Sequence, residues 1–271
     1  MNFNMIITKE IIIIFLAILV VCLMGFKKYI WFISLGYGFS ISIVGIMNLI
    51  LFRDNMNLAL IISSSILILY GLRLGGFLAL REMKSTTYNK KMKSEISDGK
   101  NMSLLIKIIL WVTCALLYLL MTSPVIYRFV NGDKLDICFI IGMIISTIGI
   151  VIESVSDLQK SKSKKQNPNR FCDKGLYRIV RCPNYLGELI IWLGVFTSGF
   201  TTLNSIGQWL IALIGFLGIV YIMFSGSRRL ELRQDRNYKD DLEYQKYTKK
   251  TPILIPFIPL YSVKKYKWLV G

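Results

Sequence analysis

The chain has 271 residues, 54% of them apolar and 18% charged, against roughly 45–50% apolar and about 25% charged in soluble domains. That profile excludes a soluble globular domain, a collagenous chain and a disordered one. Net charge is +17, from 33 Lys and Arg against 16 Asp and Glu; the basic residues lie between apolar runs, so membrane orientation explains them and no nucleic-acid partner is expected. Five Cys and no His argue against a disulfide framework and against a common zinc site, so no metal is expected.

Seven apolar stretches are long enough to cross a bilayer core of about 30 Å. They fall near 6–26, 29–52, 58–80, 104–126, 135–155, 186–204 and 208–225. Lys27 and Lys28 follow the first run and no small-residue cleavage site precedes the next, so the first is read as a helix and not as a secretory signal. With the N-terminus outside, 28 of the 33 Lys and Arg fall on the inner side, and only Lys9, Arg53, Arg128 and Lys134 fall on the outer side. This asymmetry sets the expected orientation, with the C-terminus cytoplasmic. The expected fold is all-α: one polytopic membrane domain over 1–271, whose segments 81–103, 156–185 and 225–271 form a basic cytoplasmic cap.

Ionisable groups inside a span are costly and mark candidate sites. The third span ends LILYGLRLGGFLALR (67–81), which puts Tyr70, Arg73, Phe77 and Arg81 on one helical face. At 1.5 Å per residue, Arg73 lies about 12 Å and Tyr70 roughly 16 Å deeper than Arg81 at the cytoplasmic mouth. One face therefore runs from a wet, cationic entrance to a buried phenol; snorkelling arginines beside a packing glycine pair are the alternative. The fifth span ends with Glu153 and Asp157, again on one face, either a polar site or a solvated pair.

Residues 175–188 read GLYRIVRCPNYLGE. Gly175 breaks the preceding loop and Pro183 suits a first helical position, so a helix starts near Cys182 or Pro183. Free amides and the positive dipole end at such a start favour an anion, and Arg170, Arg178 and Arg181 add charge beside it. Asn184 and Glu188 are four apart, with Tyr185 alongside, so an amide, a phenol and a carboxylate can meet one bound molecule. An arginine cluster on anionic headgroups, with Tyr185 as a belt aromatic, is the competing reading. In the tail, Pro252, Pro256 and Pro259 forbid a regular eighth transmembrane helix; 253–260 is expected as an interfacial or re-entrant piece over the cytoplasmic face, or as a plain anchor.

Four parts in order resemble the steroid 5α-reductase C-terminal-like membrane proteins, relatives of the sterol reductases. They are the arginine-ended span LYGLRLGGFLALR, the helix exit Glu153 to Asp157-Leu158-Gln159-Lys160, the GLYRIVRCPNYLGE block, and a tail with Glu231, Tyr244, Tyr247 and TPILIP. The resemblance covers most of the chain after residue 67. It implies a cytoplasmic half that binds NADPH and a membrane half that holds a flat, apolar enone, commonly a 3-oxo-Δ4 steroid. Asp157, Arg170, Arg178, Arg181, Asn184, Tyr185, Glu188, Glu231, Tyr244 and Tyr247 resemble cofactor-pocket positions, with Arg81 at the mouth of the third span assigned to the same side. Tyr70 resembles the phenol that hydrogen-bonds the substrate ketone; Arg73 is its catalytic companion, keeping that phenol polarised or holding the cofactor, and Glu153 is assigned to the substrate. The implied reaction is hydride transfer to the β-carbon of the enone, with a proton reaching the α-carbon from water.

Two departures from the pattern stand out. Related sequences usually carry His where this chain has Cys182. Reductases that act on steroids pair the ketone-binding Tyr with an acidic residue in the second span, whereas 29–52 has no Asp, Glu or Gln, and its polar residues are read as Ser34, Ser40, Ser42 and Asn48. Isoprenylcysteine and phospholipid methyltransferases have a similar arginine, proline and tyrosine block, but use S-adenosylmethionine. They usually carry a paired Glu-Glu in the tail where this chain has a lone Glu231. A non-catalytic lipid-binding protein is the third reading, and membrane lipids are partners in all three.

Overall fold

The computed structural model describes residues 6–84, 102–132 and 135–270. Most of the basic segment expected at 81–103, and Lys134, lie outside the described residues. Eight α-helices follow in order among the described residues: α1 Lys9–Cys22, α2 Leu35–Leu51, α3 Leu58–Lys84, α4 Leu104–Val130, α5 Ile137–Gln166, α6 Pro183–Ser198, α7 Ile206–Tyr238 and α8 Leu242–Lys250. No strand occurs among the described residues, as expected where lipid offers backbone groups no hydrogen bonds. Six helical segments are long and apolar enough to cross a membrane, and the protein is an all-helical polytopic membrane protein. The seventh expected stretch, 186–204, differs: α6 has 16 residues, about 24 Å of helix, and stops at Ser198 because Gly199 begins a turn. Two expected spans continue as helix past the apolar run, α5 to Gln166 and α7 to Tyr238.

The chain divides into two compact units, 1–140 with 196–215, and 141–195 with 216–271. In the first, α2 and α3 pack through small residues. A Cβ at Gly38 would lie 2.6 Å from the Gly75 amide nitrogen, and one at Gly45 would lie 2.6 Å from the Ser64 carbonyl. Backbones this close are a membrane-helix packing solution, and Ser42 Oγ adds a bond to the Ile68 carbonyl at 3.1 Å. α4 contains Pro124, which cannot donate to the Leu120 carbonyl; Ser123 Oγ donates to that carbonyl instead, at 2.7 Å.

Arg128 in the last turn of α4 is 1% exposed. The sequence counts it among the basic residues of the outer connections. The structure buries it over the Phe139 ring, 4.9 Å from the centroid, with hydrogen bonds to Asp136 and to the Ser198 carbonyl. Asp136 also caps α5, accepting from the Phe139 amide at 2.9 Å. Partial burial pushes its carboxyl up, but the bonds from Phe139, Arg128 and Thr201 outweigh that and hold it below the usual carboxylate range.

In the second unit α5 and α6 approach as closely. A Cβ at Gly187 would lie 2.7 Å from the Glu153 amide nitrogen, and Ser146 Oγ donates to the Ile191 carbonyl at 3.0 Å. Past Lys250 the described chain has no further helix, as the three prolines dictate. The tail returns through Ile253, whose amide donates to the Leu260 carbonyl at 2.8 Å. It buries Ile253, Leu254, Val263 and Leu269 against Cys182 and Leu230.

Candidate functional site

In the first unit, the α3 face grades from solvent to interior as its spacing dictates. Arg81 is exposed with its guanidinium 5.7 Å from the Phe77 ring centroid; Arg73 is half-buried; Tyr70 is 0% exposed. The Tyr70 hydroxyl lies 3.2 Å from that of Tyr37 on α2. Tyr37 is missing from the sequence-derived set. Its local signal is the Gly-Tyr-Gly run at 36–38, in which two small residues flank a single aromatic ring on a helix that must pack closely.

In the second unit, three of the four sequence blocks lock together. α5 carries Gln159, whose Oε1 accepts from the Leu176 amide at 2.9 Å. Gly175 makes this possible: its φ of +62° is left-handed, and any Cβ there would run into the Gln159 side chain. The short 3-10 turn Gly175–Arg178 that follows leaves Arg178 exposed and Tyr177 buried. Tyr177 accepts at its carbonyl from Tyr247 Oη, at 2.7 Å.

α6 begins at Pro183, where the sequence placed it. Its start is less open than expected, because the Arg181 and Cys182 amides donate to the Pro252 and Ile253 carbonyls, both at 2.9 Å. Pro183 has no N–H, so Asn184 and Tyr185 supply the first-turn donors. Burial pushes the Cys182 thiol up to about 11, so it stays neutral and packs as a small apolar group.

Several residues expected around a cofactor are bonded to partners within this unit. Arg181 and Glu231, 1% and 3% exposed, form an ion pair at 2.9 Å. Arg181 also donates to the Tyr261 carbonyl, and the second Glu231 oxygen accepts from the Val263 amide at 2.9 Å. Arg170 pairs with Asp173 and Glu243 and lies over Phe171. Tyr244 Oη donates to Asp235 at 2.7 Å. Tyr244 and Tyr247 flank Phe171, with centroids 5.3 Å away in each case. Burial raises both phenols above their ordinary value, helped at Tyr244 by the Asp235 carboxylate, so both remain donors. Neither Asp235 nor Phe171 was singled out by the sequence.

The remaining expected residues differ. Arg178 is exposed, Asp157 half-buried, and Glu153 and Glu188 buried. Tyr185 is half-buried with its ring against Gly226. Asn184 Oδ1 is buried with no hydrogen bond, an acceptor whose desolvation is uncompensated within the protein.

Comparison with known proteins places the chain in a family. The model of the family described as "Protein of unknown function (DUF1295)" matches residues 21–251, and the chain belongs to that family, a steroid 5-alpha-reductase-like membrane family. The chain is 27% identical over 123 residues to the steroid 5-alpha-reductase DET2 of Arabidopsis thaliana, covering 44% of this chain and 42% of the relative. It is 26% identical over 123 residues to 3-oxo-5-alpha-steroid 4-dehydrogenase 1 of Rattus norvegicus, covering 45% and 42%. The matched part thus spans less than half the length of these relatives. No solved structure matches the chain.

Proposed function

We propose that this protein is a membrane-embedded, NADPH-dependent reductase that saturates the C=C bond of an apolar enone, of the 3-oxo-Δ4-steroid type or another lipid. The likeness to two steroid 5-alpha-reductases carries the reading. A phenol buried on the helical face that ends in Arg81 is consistent with it. The Lys and Arg asymmetry supports an orientation with the C-terminus and the basic cap cytoplasmic.

The residues of the second unit fit a nicotinamide dinucleotide phosphate. Arg178 offers an exposed cation, the Asn184 and Tyr185 amides offer first-turn donors, and the unsatisfied Asn184 Oδ1 suits a carboxamide N–H. Arg178 and Asn184 are therefore assigned to direct binding, with Asp157, Tyr185 and Glu188 around them. Arg170, Arg181, Glu231, Tyr244 and Tyr247 are assigned to holding the cap in shape, since each already bonds a partner within the unit. NADPH supplies the hydride.

On the substrate side Tyr70 donates a hydrogen bond to the carbonyl oxygen, where negative charge gathers as the β-carbon is reduced. A donor already placed in a dry site stabilises that charge without reorganising. Arg73, one turn along α3, adds positive charge on the same face. The net change is one hydride and one proton added across C=C, the proton reaching the α-carbon from water.

Thermal unfolding in detergent tests the cofactor assignment, because a ligand specific to the native state raises the melting temperature. NADPH is expected to raise it most, NADH less and S-adenosylmethionine little. The reverse order supports methyl transfer, and no shift with any of the three supports a lipid-binding protein.

A further inference from the structure

The second span contains no carboxylate, yet the fold sets a phenol against Tyr70 from that helix. Tyr37 and Tyr70 are 7% and 0% exposed, and their hydroxyls are 3.2 Å apart. Tyr37 sits beside Gly38, where α2 and α3 approach so closely that a Cβ would collide with backbone. On its other side the Tyr37 ring packs at 5.1 Å and 32° on Tyr118, whose hydroxyl is anchored by donating to the Phe32 carbonyl at 2.7 Å. The ring is thus held from two directions, and the hydroxyl is presented to Tyr70 by packing.

We infer that Tyr37 is a positioning residue for the reduction: it donates its hydrogen to the Tyr70 oxygen and so directs the Tyr70 hydrogen at the carbonyl oxygen of the enone. This rests on the reductase function proposed above. A hydroxyl has one hydrogen and two acceptor pairs, so Tyr70 can accept from Tyr37 and donate to a ketone at once. As negative charge gathers on the carbonyl oxygen, the Tyr70 O–H polarises towards it. Charge then builds on the Tyr70 oxygen, where the Tyr37 hydrogen stabilises it, and hydrogen bonds in series strengthen one another in a low-dielectric site. Tyr37 keeps its proton throughout, so the balance of hydride and proton is unchanged. A phenol keeps its proton at neutral pH, so Tyr37 can serve as the donor of this pair.

The test uses the full chain in detergent with NADPH and a 3-oxo-Δ4 steroid. Tyr37→Phe keeps the ring and its packing. It is expected to lower kcat about tenfold while leaving KM for the steroid and the NADPH dissociation constant unchanged. Combined with Tyr70→Phe, it should cost nothing beyond the effect of Tyr70→Phe alone, since the two act as one unit. Fluorotyrosine at position 37, a stronger donor of nearly the same size, is expected to match or exceed wild-type kcat and to differ from it in pH profile. Full turnover by Tyr37→Phe beside a crippled Tyr70→Phe overturns the role of Tyr37 and leaves the reductase function standing. Full turnover by Tyr70→Phe removes the ketone donor itself, and absence of reduction by wild type removes the function. If Tyr37→Phe does not fold, the fluorotyrosine protein decides: turnover and pH profile identical to wild type overturn the inference.

Discussion

The α2–α3 contact of the first unit and the tail contacts of the second use their polar groups in contrasting ways. In the second, charge closes on charge: Arg181 on Glu231, Arg170 on Asp173 and Glu243, Lys264 on Asp235. In the first, the α2 and α3 pair buries two neutral phenols against each other amid apolar helices. The difference teaches that the same residue types serve two ends. Arginines and carboxylates that look like a ligand site in sequence can bond one another, and a tyrosine that looks like core can present its hydroxyl to a second buried phenol.

The largest expected effect separates the chemistry from the clasp. Tyr70→Phe should lower kcat by about 10²- to 10³-fold, the cost of removing one oxyanion donor, with little change in melting temperature or NADPH affinity. Steady-state kinetics alongside thermal unfolding check this.

Glu231→Ala should do the opposite in kind. It strands the buried Arg181 and is expected to cost about 3–5 kcal/mol of stability, read as a lower denaturant midpoint. If Glu231→Ala instead keeps its stability and loses only NADPH affinity, Glu231 belongs to the ligand and the contrast between the two regions is wrong.

Gly38→Ala forces a Cβ into the Gly75 backbone and is expected to cost about 1–3 kcal/mol. Because it separates α2 from α3, it should also lower turnover. Arg178→Ala, at an exposed cation, should leave stability intact and weaken NADPH about tenfold, as measured by titration of nicotinamide fluorescence.

The smallest effect is a pH dependence at Asp136. Its carboxyl is held below the ordinary value, so its contribution to stability is fully present above about pH 4 and is lost as pH falls through the lowered value. Melting curves of wild type and Asp136→Asn are expected to differ at neutral pH and to converge in acid.

Hydropathy and the proline rule carry most of the fold. Six of the seven apolar runs became segments long enough to cross a membrane, α6 starts at Pro183, and the described tail after Lys250 holds no further helix. Where helices end past the lipid-facing run was less legible, because charged residues such as those at 156–166 and 226–238 are good helix formers and extend α5 and α7. Burial of Arg128 was also hidden, since it depends on Asp136, Phe139 and the Ser198 carbonyl, which are distant or unremarkable in sequence.

In the candidate site, spacing along α3 correctly placed Tyr70 inside and Arg81 outside. Pairing could not be read in the same way. Tyr37 meets Tyr70 across 33 positions, and Arg181 meets Glu231 across 50. Such partners follow from how helices and tail fold back, for which a one-dimensional period holds no signal.

The most direct measurement follows the hydrogen itself. NADPH deuterated at the nicotinamide C4 is incubated anaerobically with the purified protein and a panel of apolar enones, and the products are analysed by mass spectrometry and NMR. One deuterium at the β-carbon of a saturated ketone, matched by an equal loss of nicotinamide absorbance, is the predicted result. Intact enones with an unchanged absorbance band, across the panel, would contradict it.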